Sequence, residues 1–253
     1  MSGHSKWSTI KRQKGVADIK RGQTFTKIAN AITIAVKLGG SGDPNSNPRL
    51  RMALETAKGV NMPKENVQRA IDRGLGTDKE ALEEVLYEGF GPGQVAFIVE
   101  GVTDNRLRTN HEIKSIFERN GGHLVGSGAV SYMFEKKGEI KIKSEGGGKD
   151  EEMLELIDLG AKDIEDYEEE SFDSAQDKNI QKYLVYTERS ELNAMGNKIT
   201  QAGFEVESQE LVLKPTTTQQ ITDQDLVKKV IDFAGKLEEQ GDVQKVYMNF
   251  DIT

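Results

Sequence analysis

Residues 183–213 read YLVYTERSELNAMGNKITQAGFEVESQELVL. Three elements are legible in this run. Tyr183–Tyr186 is a short strand of aromatic and branched residues. Ser190–Ala202 carries Leu192, Met195 and Ile199 at helical spacing. Glu205–Leu213 is a second strand. The segment before it has the same grammar. Glu139–Lys143 alternates as a strand, and Asp150–Leu159 is a helix with Met153, Leu156 and Ile157 expected inward. Asp163–Tyr167 is a strand, followed by an acidic loop from Glu168 to Asp177. The order βαββαβ is the ferredoxin-like split βαβ arrangement.

Upstream, Phe25, Ile28, Ile32 and Ala35/Val36 share one helical face that ends at Gly39-Gly40. Asn47 suits a helix cap with Pro48 at the first helical position. Leu50, Ala53, Leu54 and Ala57 form that helix's stripe. Pro63 opens a third helix with Val67, Ala70 and Ile71 inward. Beyond a linker at Gly76–Lys79, Val85–Tyr87 and Val95–Val99 form a hairpin around Gly89–Gly93. Asp104 is positioned to cap a helix to about Asn120, with Leu107, Ile113, Ile116 and Phe117 inward. Ala129–Phe134 alternates as a strand. After Pro215 and a Thr/Gln-rich linker come a helix at Asp223–Gln240 and a last strand at Val243–Phe250.

That last pair lacks sheet partners of its own, so it belongs with the strands before residue 135. The expected fold class is α+β and multidomain. It comprises a basic N-terminal arm at 1–23, a three-helix bundle at 24–78 and a middle α/β domain built from 80–135 plus 214–253. A ferredoxin-like domain at 136–213 is inserted in the middle one. The 253-residue length suits this division.

Charge is unevenly distributed. The chain has 34 Lys+Arg and 42 Asp+Glu, a net charge of -8. Residues 1–75 hold 14 bases and 5 acids, net +9; the remainder holds 20 bases and 37 acids, net -17. A polyanion-binding module joined to an acidic body has this signature; so does a basic domain docked on an acidic one. With 0 Cys, disulfides, thiolate metal sites and thiol catalysis are excluded. The start lacks the apolar stretch of a signal peptide, and no apolar run approaches the roughly 18 residues of a membrane span. A cytoplasmic location is expected.

Little in the chain carries reaction chemistry. His4, His111 and His123 form no metal-ligand spacing. The acids Asp163, Glu165, Asp166 and Glu168–Glu170 lack the calcium-loop pattern and read as a solvated loop. Gly146-Gly147-Gly148-Lys149 fails as a phosphate loop because Asp150 replaces the needed Ser or Thr. No enzymatic activity, cofactor, metal or small-molecule ligand is expected. Two segments carry a binding argument. Lys6, Lys11, Arg12, Lys14, Lys20 and Arg21 can each meet a phosphate, and Trp7 can stack on a base or anchor the arm. Arg49, Arg51, Lys64 and Arg69 lie off the bundle's apolar stripes. Asn105, Arg106 and Arg108 stand at a helix N-terminus, where free backbone N–H groups favour anions although the dipole disfavours arginines.

These residues carry a resemblance. Gly3–Trp7, Lys20–Gly22, Phe25–Lys27, Asn47–Arg51 and Asn61–Asn66 are similar to stretches of the YebC family, which includes the mitochondrial translational activator of cytochrome oxidase subunit one. Tyr87–Gly93, Thr103–Arg106, Gly121-Gly122 and Tyr132–Phe134 continue the match in order, spanning essentially the whole chain. Leu107 departs from the family's polar residue, and Ser171–Lys178 fits no family pattern. The resemblance implies a helical domain plus two α/β domains and no enzymatic activity. It implies a regulator that binds nucleic acid, either on the ribosome, relieving stalling at proline-rich stretches, or as a DNA-binding transcriptional regulator. In the ribosomal version the basic domain grips ribosomal RNA, and Asn105, Arg106 and Arg108 contact RNA near the peptidyl-transferase region. No helix-turn-helix reader is present, and the acidic body would repel a long duplex, which favours translation. A protein–protein adaptor is the alternative from a different class.

Overall fold

The computed structural model describes residues 17–76, 82–145, 148–166 and 180–252. The chain opens with α1 (Ala17–Gly39), α2 (Pro48–Gly59) and α3 (Lys64–Leu75). Ile28, Ile32, Ala35, Val36, Leu50, Ala57 and Ala70 form their shared core. Asn47 makes the joint between the first two helices. Its side-chain oxygen accepts from the Leu50 amide (3.1 Å), capping α2. Its amide nitrogen donates to the carbonyls of Ala35 (2.9 Å) and Ser41 (3.1 Å). The extended reading is corrected for residues 17–23, which belong to α1; residues 1–16 of the expected arm lie outside the described residues. Those early turns have no apolar stripe to announce them. The Thr26 hydroxyl holds the helix across Gly22 by donating to its carbonyl at 3.1 Å.

The next sheet is antiparallel, with strand order β3-β1-β2-β9. It contains β1 (Glu83–Phe90), β2 (Ala96–Thr103), β3 (His123–Val125) and β9 (Val243–Met248). Strand β9, from the far end of the chain, pairs with β2 through Val99↔Val246. Helices α4 (Arg106–Arg119) and α7 (Gln224–Glu239) cover one face. Phe97, Phe117 and Phe233 meet there edge to face at centroid distances of 4.9 to 6.4 Å.

The second sheet has order β5-β6-β4-β7 and is also antiparallel. It contains β4 (Phe134–Glu145), β5 (Asp163–Asp166), β6 (Ile180–Glu188) and β7 (Glu205–Pro215). Helices α5 (Lys149–Asp158) and α6 (Leu192–Gln201) cover its outer face, over Ile140, Ile142, Tyr183 and Val185. This is the strand order of the ferredoxin-like split βαβ fold. Its inner face lies on the first sheet: Phe134, Leu184, Tyr186, Val212 and Leu213 pack on Ala96, Ile98 and Tyr247. The two sheets and their helices therefore stack as four layers. The bundle leans on both, with Met52 of α2 against the second sheet's core and Ile34 of α1 against Val102.

Four further expectations are corrected. Residues 129–133 are not a strand: Ser131–Met133 is a turn of 3₁₀ helix, and β4 starts at Phe134. The Glu88 carboxylate bends that segment by accepting from the amides of Gly128, Val130 and Ser131. The last strand is split at Asn249. Residues Phe250–Ile252 form β10, parallel to an unexpected β8 at Gln219–Ile221 in the Thr/Gln-rich linker. The Asn249 side chain bonds Ala96 N (2.8 Å) and Thr217 O (3.2 Å), which turns the chain between the two pairings. Leu107 is 83% exposed, because the inner stripe of α4 runs through Thr109, Ile113 and Phe117. Ile157 is 52% exposed. Glu152 takes the inward position on α5, accepting from Tyr183 OH (2.6 Å) and Ser144 Oγ (2.7 Å).

Candidate nucleic-acid interface

The N-terminus of α4 follows β2 after a two-residue turn. Asn105, not Asp104, is the cap, and its side chain accepts from the Arg108 amide at 3.1 Å. Its own amide donates to Thr103 Oγ1 at 2.9 Å. Beneath the turn lies Asp242, brought from the loop before β9. It accepts from Thr109 Oγ1 (2.6 Å), an Arg108 guanidinium nitrogen (3.1 Å) and Thr103 Oγ1 (3.3 Å). Burial pushes the Asp242 carboxyl up, but the donors from Thr109, Arg108 and Gln240 outweigh it and hold the group below the usual aspartate range.

This network divides the arginines. Arg108 is tied to Asp104 at 2.7 Å and to Asp242 at 3.1 Å, so its charge goes to securing the helix start. Arg106 is exposed and makes no hydrogen bond or ion pair among the described residues. It lies near Tyr87, whose phenol burial pushes up and Arg106 draws back. The exposed end of α4 thus presents Asn105, Arg106 and Leu107 together.

The bundle residues are placed as follows. Arg49, at the start of α2, pairs with Glu84 of β1. Glu84 and Tyr87 fall on opposite faces of β1 by strand alternation, so Arg49 and Arg106 flank one strand from its two sides. Arg51 donates to the carbonyls of Pro44 (3.1 Å) and Asn45 (3.2 Å), closing the α1–α2 loop. Arg69 bonds the Glu65 carbonyl and the Asn66 side chain on its own helix. Lys64 is exposed at the start of α3. Lys20 and Arg21 belong to α1, not to an extended arm. Lys6, Trp7, Lys11, Arg12 and Lys14 lie outside the described residues. Sequence reasoning misses Asp242 and Thr109, since nothing local links Asp242 to Arg108 across more than a hundred residues. Among the described residues no group of three or more His, Asp or Glu side chains is placed to hold a metal ion, and no helix is long and apolar enough to cross a membrane.

A family model described as the TACO1/YebC protein N-terminal domain matches residues 5–77, and one described as the TACO1/YebC second and third domain matches residues 82–250. The chain belongs to the YebC/TACO1 family. A protein of Chloroflexus aurantiacus strain J-10-fl is 47% identical over 100% of this chain and 96% of its own length. A protein of Sulfurihydrogenibium sp. strain YO3AOP1 is likewise 47% identical, over 100% of this chain and 96% of its own. Both are named probable transcriptional regulatory proteins. The crystal structure of a conserved hypothetical protein of Aquifex aeolicus is similar with a TM-score of 0.82 and 39% identity, over 93% of this chain and 92% of that one.

Proposed function

We propose that this chain is a non-enzymatic, cytoplasmic regulator that binds nucleic acid and acts in translation. Its basic N-terminal segment and bundle grip ribosomal RNA. The Asn105–Arg106 edge of the middle domain contacts RNA near the peptidyl-transferase region, and the bound protein relieves stalling at proline-rich stretches by positioning the reactants. The units of this reading are 24–78, 80–135 with 214–253, and 136–213. The observation that carries it is Arg106: an exposed guanidinium without an ion pair among the described residues, at the N-terminus of α4. Beside it stands Leu107, an apolar side chain 83% exposed. Arg108 is withdrawn from the residues proposed to face RNA, because its charge is already matched by two carboxylates.

A second reading, a DNA-binding transcriptional regulator, is favoured by the names of the relatives. The net charge of -17 beyond residue 75 weighs against wrapping a long duplex. Co-sedimentation with ribosomes over a salt series, run beside random duplex DNA, separates the two. Ribosome binding that survives excess DNA and weakens steeply with salt is the expected result. Preference for a particular duplex with no ribosome association would overturn the translational reading.

A further inference from the structure

The seam between the two sheets is apolar at one side and charged at the other. Glu139 of β4 is 3% exposed. Its register partners are Tyr186 on β6 and Glu210 on β7. Ile140 and Ile142 point to the outer helices while Tyr186 and Val212 face the first sheet. Alternation therefore turns Glu139 and Glu210 toward the first sheet as well. From that sheet Lys245 of β9 reaches across, donating to Glu210 Oε2 at 2.6 Å and to the Leu211 carbonyl at 3.0 Å. Lys141 on β4 is 3.8 Å from Glu139. Also facing the seam are Tyr247 of β9, which donates to Glu100 of β2 at 3.3 Å, and Arg49 of α2, whose charge lies near Glu100. Lys245 is thus committed to Glu210. Around Glu139 stand Lys141, beyond hydrogen-bonding distance, the Tyr186 hydroxyl and a second carboxylate, Glu210.

We propose that Glu139 is a proton-operated latch between the two sheets. With its proton, the inserted sheet lies closed on the middle one. Ionised, it sets a second buried anion beside Glu210 that Lys245, held by Glu210, and Lys141 offset only in part, and the seam loosens. The seam also meets α2 through Arg49, so the latch bears on how the bundle and the α4 edge are held relative to each other. Burial, reinforced by Glu210, pushes the Glu139 carboxyl up against the partial opposition of Lys141 and Lys245. A raised value in the closed state means that the stability Glu139 contributes is complete below the ordinary glutamate value of about 4.3 and is lost as pH rises through the raised one. Glu88, Glu188 and Asp242 are shifted down and act at lower pH in the opposite sense.

The test is a carboxyl-carbon NMR titration of the full chain, with amide exchange of β4, β7 and β9 measured at pH 5 and pH 7.5 and corrected for intrinsic rates. Glu139 is expected to titrate above the ordinary value. Protection at the seam should fall about tenfold for each pH unit between 5 and that midpoint. In Glu139→Gln the pH 5 protection should persist at pH 7.5. An ordinary midpoint, or a variant whose protection falls as the parent's does, overturns the latch. Should Glu139→Gln not fold, Glu210→Gln decides: the Glu139 midpoint must move down once the neighbouring anion is gone, and an unmoved midpoint overturns the proposal.

Discussion

Glu88 spends a buried carboxylate on shaping a loop. It is 3% exposed and accepts four hydrogen bonds: from the amides of Gly128 (2.7 Å), Val130 (2.8 Å) and Ser131 (3.0 Å), and from Ser131 Oγ (2.6 Å). Burial pushes its carboxyl up, but the Ser131 hydroxyl and the three amides prevail and hold it below the usual glutamate range. A lowered value in the fold means that its stabilisation is present above the ordinary glutamate value and is lost as pH falls through the folded one. Replacing Glu88 by Gln strands part of this donor set. The expected cost is about 2 kcal/mol or more at pH 7, shrinking as pH falls below the ordinary glutamate value. Chemical denaturation of both proteins across that range measures it.

The bundle depends on close helix approach. A methyl group added at Gly74 of α3 would come within 2.7 Å of the Thr33 carbonyl and of Val36 Cβ on α1. Thr33 itself is buried and donates from its hydroxyl to the Ala70 carbonyl of α3 at 3.0 Å. Gly74→Ala should therefore push the helices apart and cost about 1–3 kcal/mol, visible as a lower thermal midpoint. The open position Gly59, where an added methyl meets nothing within 4 Å, is the control; Gly59→Ala should leave the midpoint nearly unchanged. The same close packing explains why α1 buries two faces, one in the bundle and one through Ile34 against Leu82 and Val102 of the middle unit.

Across the molecule, charge and fold are arranged in opposition. The helices of residues 17–75 lean on an acidic body, and Arg49 is drawn into that body through Glu84. The cations proposed to meet a polyanion are those of the N-terminal segment, Lys64 of the bundle and Arg106. Changing Lys11, Arg12 and Lys14 together to Glu should lower affinity for ribosomes or RNA without moving the unfolding midpoint. The slope of log affinity on log salt should fall by about 0.7–0.9 for each phosphate that is no longer neutralised. Arg106→Ala should remove about one such increment and impair function more than it impairs bulk RNA binding. Unchanged salt slopes in both variants would dissociate these residues from nucleic acid.

The helices, the order of strands and the ferredoxin-like unit are written in local pattern: apolar spacing, Asn47-Pro48 at a helix start and glycines at the stops. The basic segment is equally plain, because net charge needs no fold to be counted. What escapes local reading are events set by partners far along the chain. Glu88 converts an alternating run at 129–133 into a turn from some forty residues away. Asn249 splits an apparently continuous strand because Ala96 and Thr217 claim its side chain. Leu107 and Ile157 fit an apolar stripe by spacing yet face outward, since Thr109 and Glu152 find hydrogen-bond partners inside. Asp242 decides which arginine of the α4 turn is spent on structure and which stays exposed. A sequence determines the elements because spacing and capping act within a few residues; the tertiary structure alone decides which polar groups are satisfied, because their partners are brought together only by folding.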